Sequence, residues 1–543
     1  MTVWKKMNFF RAKCSLLTAC LFFFLIALSG CDKKFTKIKP KKLKEIHTNF
    51  IYSPITLDPR KSTDPVSNAL HLMLYEGLTR LEPDGTLSFA IADSIEISKK
   101  RNVYTFYLRE TFWSNGKPVT AVDFECSWKA LLSPDFPSLA SHLLFPIKNA
   151  ERAKKGLCSI NEVGVHAIDE STLVIELERP TPYFMELTAF PTFFPVPHQG
   201  EEVKTPKKGR EQLISNGPFE LASWKNEDEV VVRKNQQFWN EKAVKLDLIH
   251  MTIISDEGTA LKLFEKGDLD WIGGLISPLP LDAVTSLSQV KKIKMRPIAG
   301  TNFCAFNTKI SPFSNVHIRK AFAYAIDRQI IIDNVTQMYD EVATGPVPSV
   351  LKDYKESHFF KDGDAEEARR QFKIGLLELG IEQEDFPKLT YSYFSSELQR
   401  KLALALQSQW REVLGVEVGL ESSELKVFVN KLRQHDFEFA QMSWVAQFYD
   451  RMSFLERFMH EDSYRNYSSW ENPRFQELIR SSFHVIPPDK RALILESAER
   501  LLLEEMPIAP IYHYNALYLK SPKLKNAQIS PLGHIDFRYA DLY

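Results

Sequence analysis

Two glutamines frame a short stretch of the chain whose side chains could hydrogen-bond to a ligand. The stretch, AQMSWVAQF at 440–448, holds no glycine, proline or charged residue, and its β-forming residues predict a strand. Because strand side chains alternate between two faces, one face carries Gln441, Ser443, Val445 and Gln447. This face could bind a polar group through hydrogen bonds without carrying a charge. The opposite face, which suits a core, is formed by Met442, Trp444, Ala446 and Phe448.

The sequence lacks the motifs that would indicate an enzyme. It has no H-E-x-x-H metal helix, no G-x-S-x-G nucleophile turn and no G-x-x-x-x-G-K-[ST] phosphate loop. Asp362 and Asp364 lack the remaining ligands of a calcium loop, and the cluster at 460–462 favours a surface turn. No C-x-x-C occurs. We therefore expect a protein that is not an enzyme and that uses no cofactor and no metal.

The first thirty residues have the organisation of a secretory signal. Basic residues precede an apolar run of 13 residues, Leu16–Leu28, which falls short of the ~20 residues that span a bilayer. The run ends in LSGC, which looks like a bacterial lipobox whose Cys31 is acylated. Asp32 resembles an inner-membrane retention signal if the source is a diderm bacterium. The alternative interpretation is an uncleaved anchor helix.

The charge and the cysteine content of the chain limit its expected partners and its possible disulfides. The chain has 69 basic and 69 acidic residues, and removing residues 1–30 takes away four basic ones, which leaves a net charge of −4. No extended basic face follows, so nucleic acid is not an expected partner. The lysine-rich segment 31–45 favours a tether near anionic headgroups or a solvated linker. Cys126, Cys158 and Cys304 allow at most one disulfide.

Strand and helix patterns alternate along the rest of the chain, which predicts a mixed α/β fold. A hairpin is expected from Asn216 onward, and Thr120 with Asp123 could cap a helix. Strands are predicted at Val103–Leu108, Lys388–Phe394, Val416–Leu420, Phe437–Val445 and Ile508–Leu519. Helices are predicted from Asn68 to about Gly77 and at Ile318–Val335, Ala365–Leu379, Leu398–Leu414 and Lys490–Glu504.

Six segments occur in an order that resembles the oligopeptide-binding proteins of bacterial ABC importers, in the peptide/nickel solute-binding family 5. The resemblance rests on all six together and covers roughly Ile46 to the end of the chain. The segments are TLDPRK, LYEGLTRLEPDG, YTFYLRETFWSNGKPVTAVDFECSW, ISNGPFELASWKNEDEVVVRKNQQFW, FNTKISPFSNVHIRKAFAYAIDR and HDFEFAQMSWVAQF.

The resemblance implies a periplasmic binding protein-like fold, class II or cluster C, with two main lobes, a hinge and an extra inserted lobe. The hinge would lie at crossovers near Ala299 and His513, and closure over ligand would present a surface to a membrane permease. The implied divisions are a signal at 1–30, a tether at 31–45, lobe I at 46–75, 200–299 and 514–543, lobe II at 76–199 and lobe III at 300–513.

The resemblance also implies the function of a monomeric, lipid-anchored receptor that captures oligopeptides. Peptides in this family lie extended and pair with strand main chain from both lobes. Here the pairing segments would be Ser62–Ser67 and Ser443–Val445. The ligand-binding residues implied in this way are Thr63, Asp64, Pro65, Gln399, Arg400, Leu425, Gln441, Ser443, Trp444, Val445 and Gln447.

This sequence departs from the family pattern at the peptide termini. The position of Gln447 is an Asp that pairs with the peptide α-ammonium in the oligopeptide-binding members, and that of Gln441 is an Arg that receives a carboxylate. The family's His falls at Gln399, its pocket Trp at Leu425 and its cleft Tyr at Leu139. Two opposite charges have become two amides.

Several interpretations of this departure stay open. Asp64 or Asp450 supplies the missing carboxylate, or the ligand has a blocked amine, as in a murein peptide, or the ligand is another small solute such as a metal chelate. The polar face of 441–447 could also pack against a neighbouring lobe without ligand. A surface chaperone or adhesin is the alternative from another class, and a hydrolase is disfavoured by the missing motifs.

Overall fold

The computed structural model describes residues 43–198, 213–289, 292–351, 358–485 and 487–543. The predicted signal, Cys31 and most of the predicted tether lie outside these residues. The elements described here all belong to the unit formed by Lys44–Tyr543. Within the described ranges, no helix combines the length and apolarity needed to cross a bilayer.

The strands alternate with helices along the whole unit. The strands are β1 (Glu45–Phe50), β2 (Thr79–Leu81), β3 (Leu87–Phe89), β4 (Ala92–Ile97), β5 (Val103–Leu108), β6 (Val165–Ala167), β7 (Thr172–Glu176), β8 (Phe219–Lys225), β9 (Glu229–Lys234), β10 (Leu248–Ile253), β11 (Trp271–Gly273), β12 (Lys294–Phe306), β13 (Glu341–Val342), β14 (Leu389–Phe394), β15 (Val418–Ser423), β16 (Phe439–Val445), β17 (Ile508–Lys520), β18 (Leu524–Lys525), β19 (Gln528–Ile529), β20 (Ile535–Asp536) and β21 (Asp541–Leu542).

The α-helices range from single turns to five turns. They are α1 (Pro65–Leu74), α2 (Ala121–Leu132), α3 (Ala150–Lys154), α4 (Phe184–Leu187), α5 (Glu257–Lys266), α6 (Leu281–Gln289), α7 (Val316–Tyr324), α8 (Arg328–Ile331), α9 (Ala365–Leu379), α10 (Glu397–Leu414), α11 (Leu425–Arg433), α12 (Met452–Leu455), α13 (Pro473–Ser482) and α14 (Pro488–Glu505).

Three larger sheets organise the described part of the chain. The first has the order β1-β10-β9-β8, and the second, β4-β5-β7-β6, lies wholly within the segment predicted as lobe II. The third is mixed, with the order β11-β17-β12-β16-β14-β15 and β13 added to β17. In it β14 runs parallel to β15 and β16, whereas β12 runs antiparallel to β16 and β17. This third sheet carries the AQMSWVAQF strand in its interior.

Two long strands run together through the crossovers between the predicted lobes. β12 and β17 each have 13 residues and pair antiparallel, with register shifts between Pro297 and Thr301 and between Asn302 and Phe303. Ala299 and His513, the positions predicted for the hinge, lie within these strands. The lobe boundaries themselves stay a prediction, because strand pairing does not define how the lobes move.

Local sequence signals account for most element ends. In the predicted capping position, Asp123 accepts a hydrogen bond from the backbone N–H of Thr120 at 2.8 Å, which fixes the start of α2. Gly415 ends α10 with φ of +71°, a left-handed conformation that glycine adopts without steric cost. α9, α10 and α14 lie within two residues of their predicted bounds.

Two element predictions are wrong in detail. The helix predicted over 318–335 is divided into α7 and α8, because Asp327 accepts a hydrogen bond from the Ile330 N–H at 2.9 Å and starts a new helix. The segment Ser62–Ser67, expected to be extended for ligand pairing, turns helical at Pro65. Proline at the first helical position has a φ suited to a helix and needs no N–H partner there.

The core follows the sheets. Its largest cluster of buried apolar side chains contains Met442, Ala446 and Phe448, with Trp444 packed against it half-buried. A second cluster, which includes Phe439 and Trp410, covers the opposite face of the third sheet. The predicted core face of the 440–448 stretch is therefore confirmed. Cys126, Cys158 and Cys304 are all free thiols, so the described residues form no disulfide.

Candidate functional site

Among the residues that the structure describes, the strand β16 has no partner strand along part of one backbone edge. Its pairing with β14 covers only Tyr391 opposite Phe439 and Ser392 opposite Ala440. On the other side, the N–H of Ala446 donates to Ala299 and the N–H of Asn307 donates to Glu438. In an antiparallel pair the bonding groups alternate along the strand.

It follows that the even-numbered residues of β16 direct their N–H and C=O groups toward β12. Ser443 and Val445 direct theirs the other way, past the point where β14 pairs. Unpaired strand groups are a template for the backbone of another chain. This edge is the segment that the sequence predicted for ligand pairing.

A half-buried tyrosine lies beside the exposed Ser443. The hydroxyl of Tyr514, on β17, accepts a hydrogen bond from the side-chain amide of Asn302 at 3.3 Å, and Ser443 also bonds to this hydroxyl. Burial raises the pKa of Tyr514, so the hydroxyl stays protonated. Gly300 makes room for this ring, since a Cβ there would lie 2.7 Å from it. Sequence reasoning missed Tyr514, because its contact with Ser443 arises only when β17, β12 and β16 pair in one sheet.

Trp444 is fixed by contacts at both ends of its ring system. Its indole N–H donates to the carbonyl of Ser453 at 2.8 Å, and the guanidinium of Arg457 lies 4.3 Å from its ring centroid. The hydroxyl of Ser453 accepts a hydrogen bond from the backbone N–H of Gln447 at 3.0 Å. Ser453 therefore holds the register of Trp444 and the turn that follows it.

Gln447 contacts a residue from the segment predicted as lobe II. Its Oε1 lies 3.3 Å from Nε2 of His142, and Tyr464 places its hydroxyl 2.8 Å from Nδ1 of the same ring. Burial, assisted by the positive charge of Arg465, lowers the pKa of His142 to about 3, so the ring is neutral. The neutral ring carries one hydrogen, and with that hydrogen on Nε2 it donates to Oε1 of Gln447. Sequence reasoning missed His142 and Tyr464, which no local pattern distinguishes.

Gln399 and Gln441 are buried amides with unsatisfied atoms. Gln441 is 1% exposed and Gln399 is 6% exposed. Among the described residues, Nε2 of Gln441 and Oε1 of Gln399 have no hydrogen-bond partner. Because α10 begins just after β14, which pairs with β16, both side chains lie at the same end of the sheet. A buried polar atom without a partner costs about 1–3 kcal/mol, which a bound polar group would recover.

The two carboxylates considered as substitutes at the N-terminal end of a peptide already have partners. Asp450 forms a bidentate pair with Arg491, at 2.7 and 2.8 Å. Asp64 caps α1 by accepting a hydrogen bond from the N–H of Ser67 at 2.9 Å. Burial and the Asp64 carboxylate together raise the pKa of Tyr52. Within the described chain, no hydrogen bond joins Thr63, Asp64 or Pro65 to β16.

The other predicted residues are solvent-facing. Arg400 is exposed on the first turn of α10, and Leu425 is 53% exposed at the start of α11. Leu139 is 57% exposed, and its carbonyl accepts a hydrogen bond from Tyr464 at 3.1 Å. These positions therefore offer apolar or charged groups to solvent or to a ligand rather than to the core.

Cavities adjoin Gln447 and His142. A small cavity of about 40 Å³ is lined by Gln447, Tyr449, Leu532 and His534, among others. A wider groove of about 570 Å³, lined on one side by His142 and on the other by Tyr464, separates segments 142–187 and 448–483. Its size lies in the range of ligand sites, roughly 300–1,000 Å³. In the described part of the chain, no three metal-ligating side chains meet at these residues.

The mixed α/β fold and the open strand edge suit a binding protein of the solute-receptor class, and comparisons with known proteins show that class. Residues 86–466 match the model described as "Bacterial extracellular solute-binding proteins, family 5 Middle". The chain belongs to this family. The family consists of solute-binding proteins, so the prediction that the chain is not an enzyme is confirmed. Because its members are extracellular or periplasmic, the chain belongs to the cell envelope.

Individual relatives cover almost the whole chain. The "Oligopeptide-binding protein OppA" of Bacillus subtilis (strain 168) is 37% identical over 542 residues, which are 98% of this chain and 99% of the relative. The crystal structure of Haemophilus influenzae OppA in complex with RPPGFSPFR has a TM-score of 0.79 at 25% identity and covers 92% of this chain and 99% of its own. The Escherichia coli murein tripeptide binding protein MppA has a TM-score of 0.79 at 28% identity, with the same coverage.

Proposed function

We propose that this protein is the substrate-binding receptor of an ABC importer and that it captures oligopeptides or peptide-like ligands for a membrane permease. The observation that carries the proposal is the open backbone edge at Ser443 and Val445. Family membership and the peptide complexes of its relatives support it.

The edge supports recognition of peptide main chain. A ligand strand beside β16 would pair with the N–H and C=O groups of Ser443 and Val445. Such bonds do not depend on the side chains of the ligand, and bridging waters serve nearly as well as direct bonds. The exposed Leu139 and Leu425 would contact ligand side chains without selecting them closely. We therefore expect a receptor with broad sequence tolerance.

The termini of the ligand would be received by neutral groups. Gln447 takes the position of an Asp and Gln441 that of an Arg, while Asp450 and Asp64 are engaged elsewhere. Loss of one charge-assisted hydrogen bond removes about 1.5–3 kcal/mol, which is roughly a 10- to 100-fold loss of affinity. We infer that ligands with a blocked or modified N-terminus are bound at least as well as free peptides, and murein peptides are candidates among them.

Backbone methylation of the ligand tests the proposal. Replacing one amide hydrogen of a bound peptide by methyl removes a donor without changing the protein. Each blocked bond to β16 should weaken binding by about 2- to 10-fold, from a net hydrogen-bond contribution of about 0.5–1.5 kcal/mol. Calorimetric titration with a series of singly methylated peptides should show alternating sensitive and tolerant positions. Uniform tolerance along the peptide would contradict strand pairing.

We further propose that the chain is anchored by lipid at Cys31. The short apolar run before LSGC supports this anchor, and the seven lysines between residues 33 and 44 support contact with anionic headgroups. Cys31→Ala should move the protein from the detergent phase to the aqueous phase in a detergent partition experiment. Cys126→Ala, which changes a cysteine of the folded region, is the matched control. Detergent partition of both variants would contradict acylation at Cys31.

A further inference from the structure

A cluster of histidine and glutamate side chains lies on the outward face of the first sheet. His47 on β1 is in register with His250 on the parallel neighbour β10, and Glu45 precedes His47 by two residues. Side chains two apart on a strand share a face, and Glu229 on β9 joins the same face. The metal-ligating atoms of Glu45, His47 and His250 all lie within 4.8 Å of one another.

The orientation of His250 is set by a carboxylate behind it. Nδ1 of His250 lies 3.2 Å from Oε1 of Glu229. A carboxylate only accepts, so Nδ1 donates to Glu229 and Nε2 is the ring nitrogen available to a metal ion. Nε2 faces Oε2 of Glu45 at 3.8 Å and, within the described chain, has no hydrogen-bond partner. A histidine whose second nitrogen donates to a carboxylate is the usual arrangement of a metal ligand.

The rings of His47 and His250 also lie together, with centroids 4.6 Å apart and planes at 16°. Two zinc ligands in tetrahedral geometry stand about 3.4 Å apart, from metal–ligand bonds of about 2.1 Å. The Glu45–His250 pair at 3.8 Å would need to close by a few tenths of an ångström, and the other pairs, which lie within 4.8 Å, by at most about 1.4 Å. Rotation about the side-chain bonds of surface residues supplies such a movement.

We propose that Glu45, His47 and His250 bind a divalent transition-metal ion of the zinc type, with Glu229 positioning His250. Imidazole nitrogens favour zinc, copper and nickel over calcium and magnesium, which require more oxygen ligands. Three protein ligands leave one position for water or another small ligand. The site lies on β1 and β10, away from the β16 edge in the third sheet, and does not depend on the proposed peptide function.

Calorimetric titration of the purified, untagged chain with Zn²⁺ tests the site. We expect one saturable site per chain, and at least tenfold weaker binding in Glu45→Gln, His47→Ala and His250→Ala. Glu229→Ala should weaken binding by about 10- to 100-fold, because it removes the acceptor that orients the ring of His250. His166→Ala, on β6 of the second sheet, is the matched control and should bind Zn²⁺ as the unmodified chain does.

Competition with other metal ions and thermal unfolding of the variants test whether the three side chains bind Zn²⁺ or only stabilise the fold. Ca²⁺ and Mg²⁺ should not displace Zn²⁺, and Zn²⁺ should raise the melting temperature of the unmodified chain but not of His47→Ala. Glu45→Gln keeps the size of the side chain, so it remains informative if a histidine variant fails to fold. The absence of saturable binding, or equal affinity in all variants, would overturn the proposal. So would a loss of affinity in His166→Ala as large as in His47→Ala.

Discussion

Gln447 is both a proposed ligand-binding side chain and a contact to His142 from another predicted lobe. Its Oε1 accepts from the neutral ring of His142, so the amide serves as an acceptor without a negative charge. A carboxylate at the same place would attract a peptide ammonium, and it would also favour the protonated form of His142. The neutral pair therefore fits a ligand whose terminus carries no free amine.

Gln447→Asp should strengthen binding of peptides with a free N-terminus by roughly 10- to 100-fold, since it restores a charge-assisted bond worth about 1.5–3 kcal/mol. Calorimetric titrations with a free and an N-acetylated form of one peptide measure the effect, and the acetylated form should gain nothing. Gln447→Asn is the matched neutral control, because it has the length of Asp. Equal affinities in all these titrations would remove Gln447 from the ligand site.

The buried carboxyl group of Glu499 should make the free energy of unfolding depend on pH. It is fully buried on α14, where Oε1 accepts from the N–H of Val347 at 3.2 Å and Oε2 has no partner among the described residues. Burial raises its pKa to about 8 although Arg451 opposes the rise. The folded state thus binds a proton that the unfolded state releases above about pH 4.3. The stabilising contribution of the protonated form is complete below that pH and is lost as pH rises toward 8.

Glu499→Gln removes this dependence because the amide does not titrate. We expect the variant to match the unmodified chain near pH 4.5 and to exceed its free energy of unfolding by a growing margin up to pH 8, on the order of 1.4 kcal/mol per pH unit. Urea unfolding at several pH values measures the margin. Glu504→Gln, an exposed position on the same helix, is the control. A constant difference between Glu499→Gln and the unmodified chain at every pH would show that Glu499 is ionised in the folded state.

At the scale of elements, Asp64 lies at the start of α1, where its carboxylate could either cap the helix or bind the ligand. Its carboxylate accepts from the N–H of Ser67, which is the N-cap bond of this helix. Asp64→Ala should cost about 1 kcal/mol of stability, whereas Asp64→Asn keeps an N-cap acceptor and should cost little. Peptide affinity should stay within about twofold in Asp64→Asn. A selective loss for free-amine peptides in that variant would assign the peptide ammonium to Asp64 instead.

Elements follow from the sequence where local forces dominate. α9, α10, α14 and the long strand β17 have apolar spacing and clear end signals, and they lie where the pattern predicts them. The helix predicted over 318–335 fails because an internal Asp327 caps a second helix, and propensity does not reveal which aspartate takes that role. Ser62–Ser67 fails in its second half for a similar reason, since Asp64 and Pro65 form a helix start.

The candidate site is less predictable than the elements, because sheet order joins distant segments. The face alternation of β16 follows from the sequence, and so does its apolar side. The sequence does not show that β14 stops pairing at Ser392, which opens the edge at Ser443, nor that His142 reaches Gln447 across 305 residues. The cluster of His47 and His250 is likewise not predictable from the sequence, because only the pairing of β1 with β10 brings the two residues together.

At the scale of the whole molecule, side-chain contacts join two segments that the sequence assigned to different lobes. His142 meets Gln447, and the ring of Tyr183 stacks on Phe448 with centroids 4.8 Å apart. These contacts join segment 76–199 to segment 300–513, while β12 and β17 provide the continuous connection through the predicted hinge. A ligand that touches both sides stabilises the closed state in proportion to its preference for that state.

Small-angle scattering should therefore detect compaction when a peptide binds. For a compact chain of this length the radius of gyration is about 24 Å, and the ligand-free ensemble should exceed the peptide-saturated one because it contains open molecules. Saturation is established by calorimetry on the same sample, and a peptide methylated at every backbone amide, which calorimetry shows not to bind, is the control for solution effects. Binding without any fall in the radius of gyration would show that the lobes do not close on the ligand, although peptide capture itself would stand. A fall with the non-binding peptide as well would show that compaction is unrelated to occupancy of the cleft.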